Sequence, residues 1–143
     1  MFDGSSFRAV ATALDAQIIS AAVPEAFGRS AIGRAYYACF HAARGSLFQA
    51  ADWSDKKKTT HKAVRQATRK AKGNFVADKL DTLVVLREHA DYHTWNPSQP
   101  GQSQNPPPSC TCKWDPHISK NVGYALGLAD DVLSAFGVTV STP

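Results

Sequence analysis

Alanine is the residue that most constrains how this chain can fold. It occurs 22 times in 143 residues, with 13 copies in the first fifty, and runs of β-branched residues are nearly absent. Alanine has the highest intrinsic helix propensity, whereas strands are normally rich in the β-branched residues that are scarce here. The local preference of the backbone is therefore helical, and the sequence predicts an all-α protein.

Apolar residues recur at helical spacing in five segments. The first predicted helix runs from Phe7 to about Ala21 and is stopped by Pro24. The second has Ser30 as its N-cap, because a serine side chain can accept a hydrogen bond from the first helical turn. This second helix extends to about Ala51 and carries one continuous apolar face.

The third and fourth predicted helices are separated by Gly73. The third begins near Ser54 or Thr60, and Gly73 is its C-terminal cap because glycine readily adopts the left-handed conformation found there. Its thin apolar stripe consists of Val64, Ala67 and Ala71. Asn74 is predicted to cap the fourth helix, which ends at about Tyr92.

The last predicted helix starts at Asp115-Pro116, an N-cap followed by proline at the first helical position, and ends at Gly137. Before it, residues 94–114 are expected to form a long loop, because proline is incompatible with a helix interior or an inner strand. The prolines in question are Pro97, Pro100, Pro106, Pro107 and Pro108. Five helices with one long loop predict a single domain over residues 1–143, arranged as an up-down bundle.

The chain is expected to be a cytoplasmic protein. No stretch approaches the ~18 uninterrupted apolar residues of a membrane span, and the N-terminus lacks the basic flank and apolar block of a signal peptide. The three cysteines, Cys39, Cys110 and Cys112, are an odd number, which favours a reducing compartment over a disulfide framework.

Basic residues are concentrated around the third predicted helix. The formal net charge is +4, but eight of the sixteen lysines and arginines lie between Lys56 and Lys72. Four of them fall on one side of a helix: Lys58, Lys62, Arg65 and Arg69. Such a face is predicted to bind nucleic acid by following its phosphate backbone without reading the sequence. A solvated face that only promotes solubility is the alternative.

The second predicted helix has a polar stripe beside its apolar face. The stripe consists of Arg34, Tyr37, His41 and Arg44. Arginine is a permanent cation suited to a phosphate, and histidine can take and return a proton near neutral pH. Arg34 and His41 are therefore predicted to cleave a phosphodiester, with Tyr37 and Arg44 binding the nucleic acid. The structural alternative pairs Arg34 with a carboxylate and makes His41 a hydrogen-bonded histidine between helices.

A thiol or metal site is a weaker alternative. His89 and His93 have the i, i+4 spacing that can hold a metal ion, and Cys110, Cys112 and His117 could add ligands. Exposed thiols and solvated histidines are the simpler interpretation, so no metal and no cofactor are predicted. The twelve acidic residues are scattered, and a nuclease of this sequence is expected to work without a divalent ion.

Two segments resemble the motifs of HEPN domains. Residues 29–44, RSAIGRAYYACFHAAR, resemble the helix-two signature of that family, and residues 86–92, LREHADY, resemble its later arginine-to-Ala-Asp-Tyr segment. Thr60-His61, between them, is also similar to the family. The resemblance spans nearly the whole chain and implies a helical bundle that forms homodimers.

The resemblance also implies an activity, because many HEPN domains are metal-independent ribonucleases of toxin, phage-defence or RNA-processing systems. Active members carry an arginine followed, after four to six residues, by a histidine. Arg34 with His41 and Arg87 with His93 have this form. The implied reaction is attack by the ribose 2′-hydroxyl, giving a 2′,3′-cyclic phosphate. The first pair is preferred because its seven-residue separation keeps both side chains on one helix face.

Other HEPN domains are non-catalytic, and this is the alternative function. Ala35 and Glu88 directly follow the two arginines, where active members usually carry another polar residue, and this departure favours the alternative. The protein would then bind RNA or a nucleotide and dock on a nucleotidyltransferase-like partner. Arg87 would in that case form a structural salt bridge with Asp91, four residues later. Geometry separates the two hypotheses, since the enzyme requires an arginine and a histidine to converge.

Overall fold

The computed structural model of the protein describes residues 4–20, 24–49, 55, 60–92, 115 and 117–139. Within these residues the chain forms five α-helices, one turn of 3-10 helix after the first of them, and no strand. The helices are α1 (Gly4–Gln17), α2 (Pro24–Leu47), α3 (His61–Lys72), α4 (Asn74–Tyr92) and α5 (Ile118–Ala135). They pack together as a bundle, which confirms the predicted all-α fold.

Helix α2 lies at the centre of the bundle and contacts each of the other four helices. Its fully buried alanines let the neighbouring helices approach closely: Ala31, Ala35, Ala38 and Ala43. Larger buried side chains of the same helix fill the space between them: Ile32, Tyr36, Cys39 and Phe40. The segment that carries the predicted polar stripe is therefore also the core of the fold.

Two glycines lie at close contacts between α2 and other helices. A Cβ atom added at Gly4 of α1 would lie 2.7 Å from the carbonyl oxygen of Ala38. A Cβ atom added at Gly28 of α2 would lie 2.2 Å from Cγ1 of Ile118 in α5. Both separations are shorter than van der Waals contact, so these positions admit no side chain without movement of the helices.

Two arginines tie the helices together through polar contacts. Arg8 of α1 forms a bidentate ion pair with Asp130 of α5, with N···O distances of 2.6 and 3.0 Å. Arg29 of α2 donates hydrogen bonds from Nη1 to the carbonyl oxygens of His89 and Ala90, each at 2.9 Å. Because the last carbonyls of a helix have no partner within it, Arg29 satisfies the C-terminal end of α4.

The predicted boundary between the first two helices is wrong. Helix α1 ends at Gln17, and Pro24 begins α2 instead of terminating the helix before it. Ser30 consequently lies inside α2 and is not its N-cap. Proline has no amide hydrogen and a fixed φ, so it breaks a helix interior yet fits the first turn equally well. At its other end α2 stops at Leu47.

The ends of α3 are as predicted from Thr60 and Gly73. Thr60 is the N-cap, and its hydroxyl oxygen accepts a hydrogen bond from the backbone amide of Ala63 at 3.1 Å. Gly73 caps the other end with a φ of 83°, in the region that favours glycine. The alternative start at Ser54 lies outside the described residues.

Helix α5 begins later than predicted, at Ile118, with His117 in the N-cap position. Asp115 still organises this start, because its Oδ1 accepts a hydrogen bond from the amide of His117 at 2.8 Å. The side chain of Asn121 holds the backbone of Asp115 through two further hydrogen bonds of 2.7 and 2.9 Å. Pro116 and the predicted loop at 94–114 lie outside the described residues.

Substitution of Gly28 by alanine is expected to destabilise the protein. The new methyl group would overlap Ile118, and overpacking of this kind typically costs about 1–3 kcal/mol of unfolding free energy. Gly33→Ala in the same helix is the matched control, because no atom lies within 4 Å of its added Cβ. That variant should gain about 0.5–1 kcal/mol from helix propensity. Urea unfolding of both variants checks the prediction, and a stabilised Gly28→Ala protein would contradict it.

Candidate functional site

Six aromatic and histidine rings from three helices form a continuous cluster. Helix α2 provides four of them, α1 one and α3 one, and centroids of contacting rings are 4.4–6.3 Å apart. We refer to this group as the ring cluster, and it comprises Phe7, Tyr36, Tyr37, Phe40, His41 and His61. The rings from α2 come together because their offsets place them on adjacent positions of one helix surface.

The predicted pair Arg34 and His41 lies at the α1 side of the ring cluster. Arg34 is exposed, and its guanidinium carbon is 5.7 Å from the centroid of the Phe7 ring. The imidazole of His41 is stacked on the same ring, with a centroid separation of 5.2 Å and an interplanar angle of 18°. The structure thus places a cation and an imidazole, two helical turns apart in sequence, against one phenyl ring.

Arg87 reaches the same cluster from α4. Its guanidinium carbon lies 5.6 Å from the centroid of the Tyr36 ring, and Nη1 donates a hydrogen bond to the Tyr37 hydroxyl at 3.4 Å. The same nitrogen is 3.5 Å from a carboxylate oxygen of Asp91, so the predicted structural ion pair is present. Burial opposes the charge of Arg87, but Tyr37 and Asp91 outweigh it and raise the pKa of the guanidinium.

His61 belongs to the site although the sequence analysis assigned it no role. It is the first residue of α3, where the Thr60 cap fixes the backbone. Its imidazole stacks on Phe40 at 4.4 Å and on Tyr36 at 5.6 Å, and its Nδ1 is hydrogen-bonded to the Tyr36 hydroxyl. The sequence feature that could have pointed to His61 is its position directly after Thr60, because a residue that follows an N-cap has a fixed position at the start of a helix.

The environment of the ring cluster keeps both histidines neutral near pH 7. Burial, and then the positive charge of Arg44, lower the pKa of His41. Burial also lowers the pKa of His61, with further contributions from Arg87 and Arg65. A neutral imidazole has one nitrogen that can accept a proton and one that can donate a hydrogen bond. Both functions are therefore present at this surface.

The predicted basic face of α3 is partly neutralised by α4. Arg69 Nη2 lies 2.7 Å from a carboxylate oxygen of Asp78 and 3.0 Å from one of Asp81. Arg65 forms a second ion pair with Asp81 at 2.9 Å. Lys62 is exposed. The prediction of one continuous cationic stripe missed these carboxylates, because they come from a different helix.

The other predicted site residues have different positions. Arg44 is half-buried in the last turn of α2, where its charge acts on His41. His93 and Lys58 lie outside the described residues. The structure therefore brings Arg34, His41 and Arg87 to one cluster and leaves the pair of Arg87 with His93 a prediction.

The candidate metal ligands are not gathered by the part of the chain that the structure describes. His89 is buried in α4, with 6% of its surface exposed, and His117 is exposed at the start of α5. Among the described residues no three His, Cys, Asp or Glu side chains form a group that could hold a metal ion. Cys110 and Cys112 lie outside the described residues.

Comparison of the chain with protein-family models, with curated proteins and with solved structures finds no significant match. Across the described residues, no helix is both long enough and apolar enough to span a membrane.

Acidification is expected to destabilise the fold through His41 and His61. Both have a folded-state pKa below the ordinary value of about 6.5, so between the two values the unfolded chain binds more protons. Their contribution to stability is complete above about pH 6.5 and is lost as the pH falls below it. Arg44 opposes protonation of His41, while Arg87 and Arg65 outweigh Glu88 at His61.

Urea unfolding between about pH 7.5 and pH 5 measures this effect in the wild-type protein and in the double variant His41→Gln, His61→Gln. The free energy of unfolding should fall less steeply with acidification in the double variant. The upper end of the range is the internal control, since there both proteins should show the same pH dependence. If the free energy of unfolding fell equally steeply with pH in both proteins below pH 6.5, the assignment of this effect to His41 and His61 would be contradicted.

Proposed function

We propose that the protein is an endoribonuclease whose site is the ring cluster together with Arg34 and Arg87. The observation that carries the proposal is the placement of Arg34 and His41 against the same Phe7 ring. A permanent cation and a titratable imidazole are thereby both held against one ring. These are the two groups that phosphodiester cleavage in RNA requires, one for the phosphate charge and one for the proton.

The proposed reaction uses His41 as the base. Its neutral imidazole takes the proton of the ribose 2′-hydroxyl, and the 2′-oxygen then forms a bond to phosphorus. The bond from phosphorus to the 5′-oxygen breaks, and that oxygen takes up a proton from water and leaves as a hydroxyl, while the proton held by His41 returns to solvent. Arg34 and Arg87 stabilise the negative charge that develops on the phosphate oxygens. The products are a 2′,3′-cyclic phosphate and a 5′-hydroxyl end, and DNA, which lacks the nucleophile, is not cut.

The resemblance of residues 29–44 and 86–92 to HEPN motifs supports the same function. It implies a homodimer that acts in the cytoplasm, within a toxin or phage-defence system, with each protomer contributing an arginine and a histidine. His93 remains the candidate partner of Arg87 in this scheme. Arg65 and Arg69 are left out of the proposed RNA surface, because α4 carboxylates already bind them.

A non-catalytic RNA- or nucleotide-binding module, with a nucleotidyltransferase-like partner, is the second candidate. The contacts of Arg87 favour it, because Tyr37 and Asp91 hold the guanidinium within the protein. An arginine whose partners are all internal stabilises the fold without any ligand. This function predicts RNA or nucleotide binding with no strand cleavage.

Cleavage of a mixed RNA pool in EDTA tests the enzyme. His41→Gln should lower the rate by about 100-fold or more, the usual contribution of a general base. Arg34→Gln should lower it by about 100–1000-fold, as expected for loss of a group that stabilises transition-state charge. The product ends are identified with end-labelling enzymes, because each enzyme labels some kinds of RNA end and leaves others unlabelled.

His117→Gln and Lys120→Gln are the matched controls, since both residues are exposed at the start of α5, one at its N-cap and the other in its first turn. These variants and the wild-type protein should cut equally well, and a DNA pool of the same sequences should stay intact. RNA that is bound but not cut would select the binding module. Equal cleavage by the wild-type, His41→Gln and Arg34→Gln proteins would overturn the proposed site.

A further inference from the structure

The hydrogen bond between Tyr36 and His61 joins the core to the surface of the site. Tyr36 is 1% exposed, and Phe40, on which the imidazole stacks, is 6% exposed. His61 itself is exposed, yet its ring is held by these two rigid neighbours. Since Nδ1 is occupied by the Tyr36 hydroxyl, Nε2 is the ring nitrogen left for a ligand. Within the described residues Nε2 has no hydrogen-bond partner.

We propose that His61 is a further substrate-binding residue of this site, and that Tyr36 positions it as the Nε2–H tautomer to donate a hydrogen bond to a phosphate oxygen of RNA. The proposal rests on the proposed function for the identity of the ligand. It assigns the two histidines different roles, with His41 accepting a proton and His61 donating a hydrogen bond. Tyr36 contacts no substrate and acts only through His61.

The direction of the Tyr36–His61 hydrogen bond determines the tautomer. A buried hydroxyl must donate its proton to an acceptor, and Nδ1 is the acceptor that the described residues provide. Burial raises the pKa of Tyr36, so the phenol keeps this proton at neutral pH. Nδ1 must then be unprotonated, and a neutral imidazole in that state carries its proton on Nε2. The reverse arrangement would leave a buried O–H without an acceptor among the described residues.

The surroundings of His61 select an anionic oxygen as the ligand. Arg87 lies against Tyr36, the ring that His61 stacks on, and its charge together with that of Arg65 is felt at the imidazole. Burial, and then these cations, disfavour a protonated, positively charged His61, so the ring offers an N–H donor without a charge of its own. An uncharged donor beside a guanidinium matches a phosphodiester, which carries one negative charge on two equivalent oxygens.

Nitrogen-15 NMR of the imidazoles in the full-length protein tests the tautomer without any ligand. The wild-type spectrum should show a protonated Nε2 and an unprotonated Nδ1 for His61, and Tyr36→Phe should give a mixture of tautomers. Tyr124→Phe, a change to an exposed tyrosine of α5, is the control and should leave the His61 signals unchanged. A wild-type His61 that carries its proton on Nδ1 would overturn the proposal, whether or not Tyr36→Phe folds.

Binding of a 2′-O-methyl RNA oligonucleotide, which cannot be cleaved by 2′-hydroxyl attack, tests the ligand. His61→Ala should weaken binding about 10–100-fold, the effect of losing a hydrogen bond to a charged group. His61→Gln should restore most of the affinity, because its amide can place an N–H near the position of Nε2. Equal affinity of the wild-type, alanine and glutamine proteins would overturn the proposal. A merely structural role would give equal losses for the alanine and glutamine variants.

The same experiment separates this proposal from the proposed function. Binding that depends on His61, together with no cleavage of unmodified RNA, would support the role of His61 and reject the nuclease. Cleavage and binding that are both insensitive to His61→Ala would keep the nuclease and reject the role of His61.

Discussion

The close approach of its neighbours to α2 is the constraint on which the rest of the structure depends. One helix of 24 residues contacts four others, which is possible because four of its nine buried residues are alanine and because Gly28 has no side chain. Several large residues of α2 extend to neighbouring helices at the site. Tyr36 and Phe40 meet the start of α3, and Tyr37 meets α4. The site is therefore an extension of the core packing to the surface.

The fold class was predictable because it depends on local preferences that every segment shares. Helix ends were harder, since the same residue can serve opposite purposes. Pro24 was predicted to terminate a helix, but it is the first residue of α2. Thr60 and Gly73 have more specific capping roles, and both cap α3 as predicted. The buried face of α3 contains Thr68, whose hydroxyl donates to the carbonyl of Val64 at 2.9 Å. Because Thr68 is polar, the spacing of apolar residues did not predict that it is buried.

The candidate site was predictable only where a single helix determines it. The spacing of Arg34 and His41 fixes their common side of α2, and no tertiary information is needed. Phe7, the ring that both contact, belongs to another helix, and so does His61. Contacts of this kind depend on how helices dock, which periodicity does not encode. The backbone partners of Arg29 were unpredictable for the same reason, since these carbonyls are about sixty residues away, whereas its ion pair with Glu25 lies within α2.

Arg65 and Arg69 already have their counterions, the carboxylates of Asp78 and Asp81. Salt weakens the binding of nucleic acids to proteins mainly because protein cations displace small ions that surround the phosphates. A polyanion along α3 would have to compete with these two aspartates, so it would release few of its own ions there. Half of the lysines and arginines of the chain are concentrated in and before this helix. The affinity for polyanions should consequently decline less steeply with ionic strength than the number of basic residues suggests.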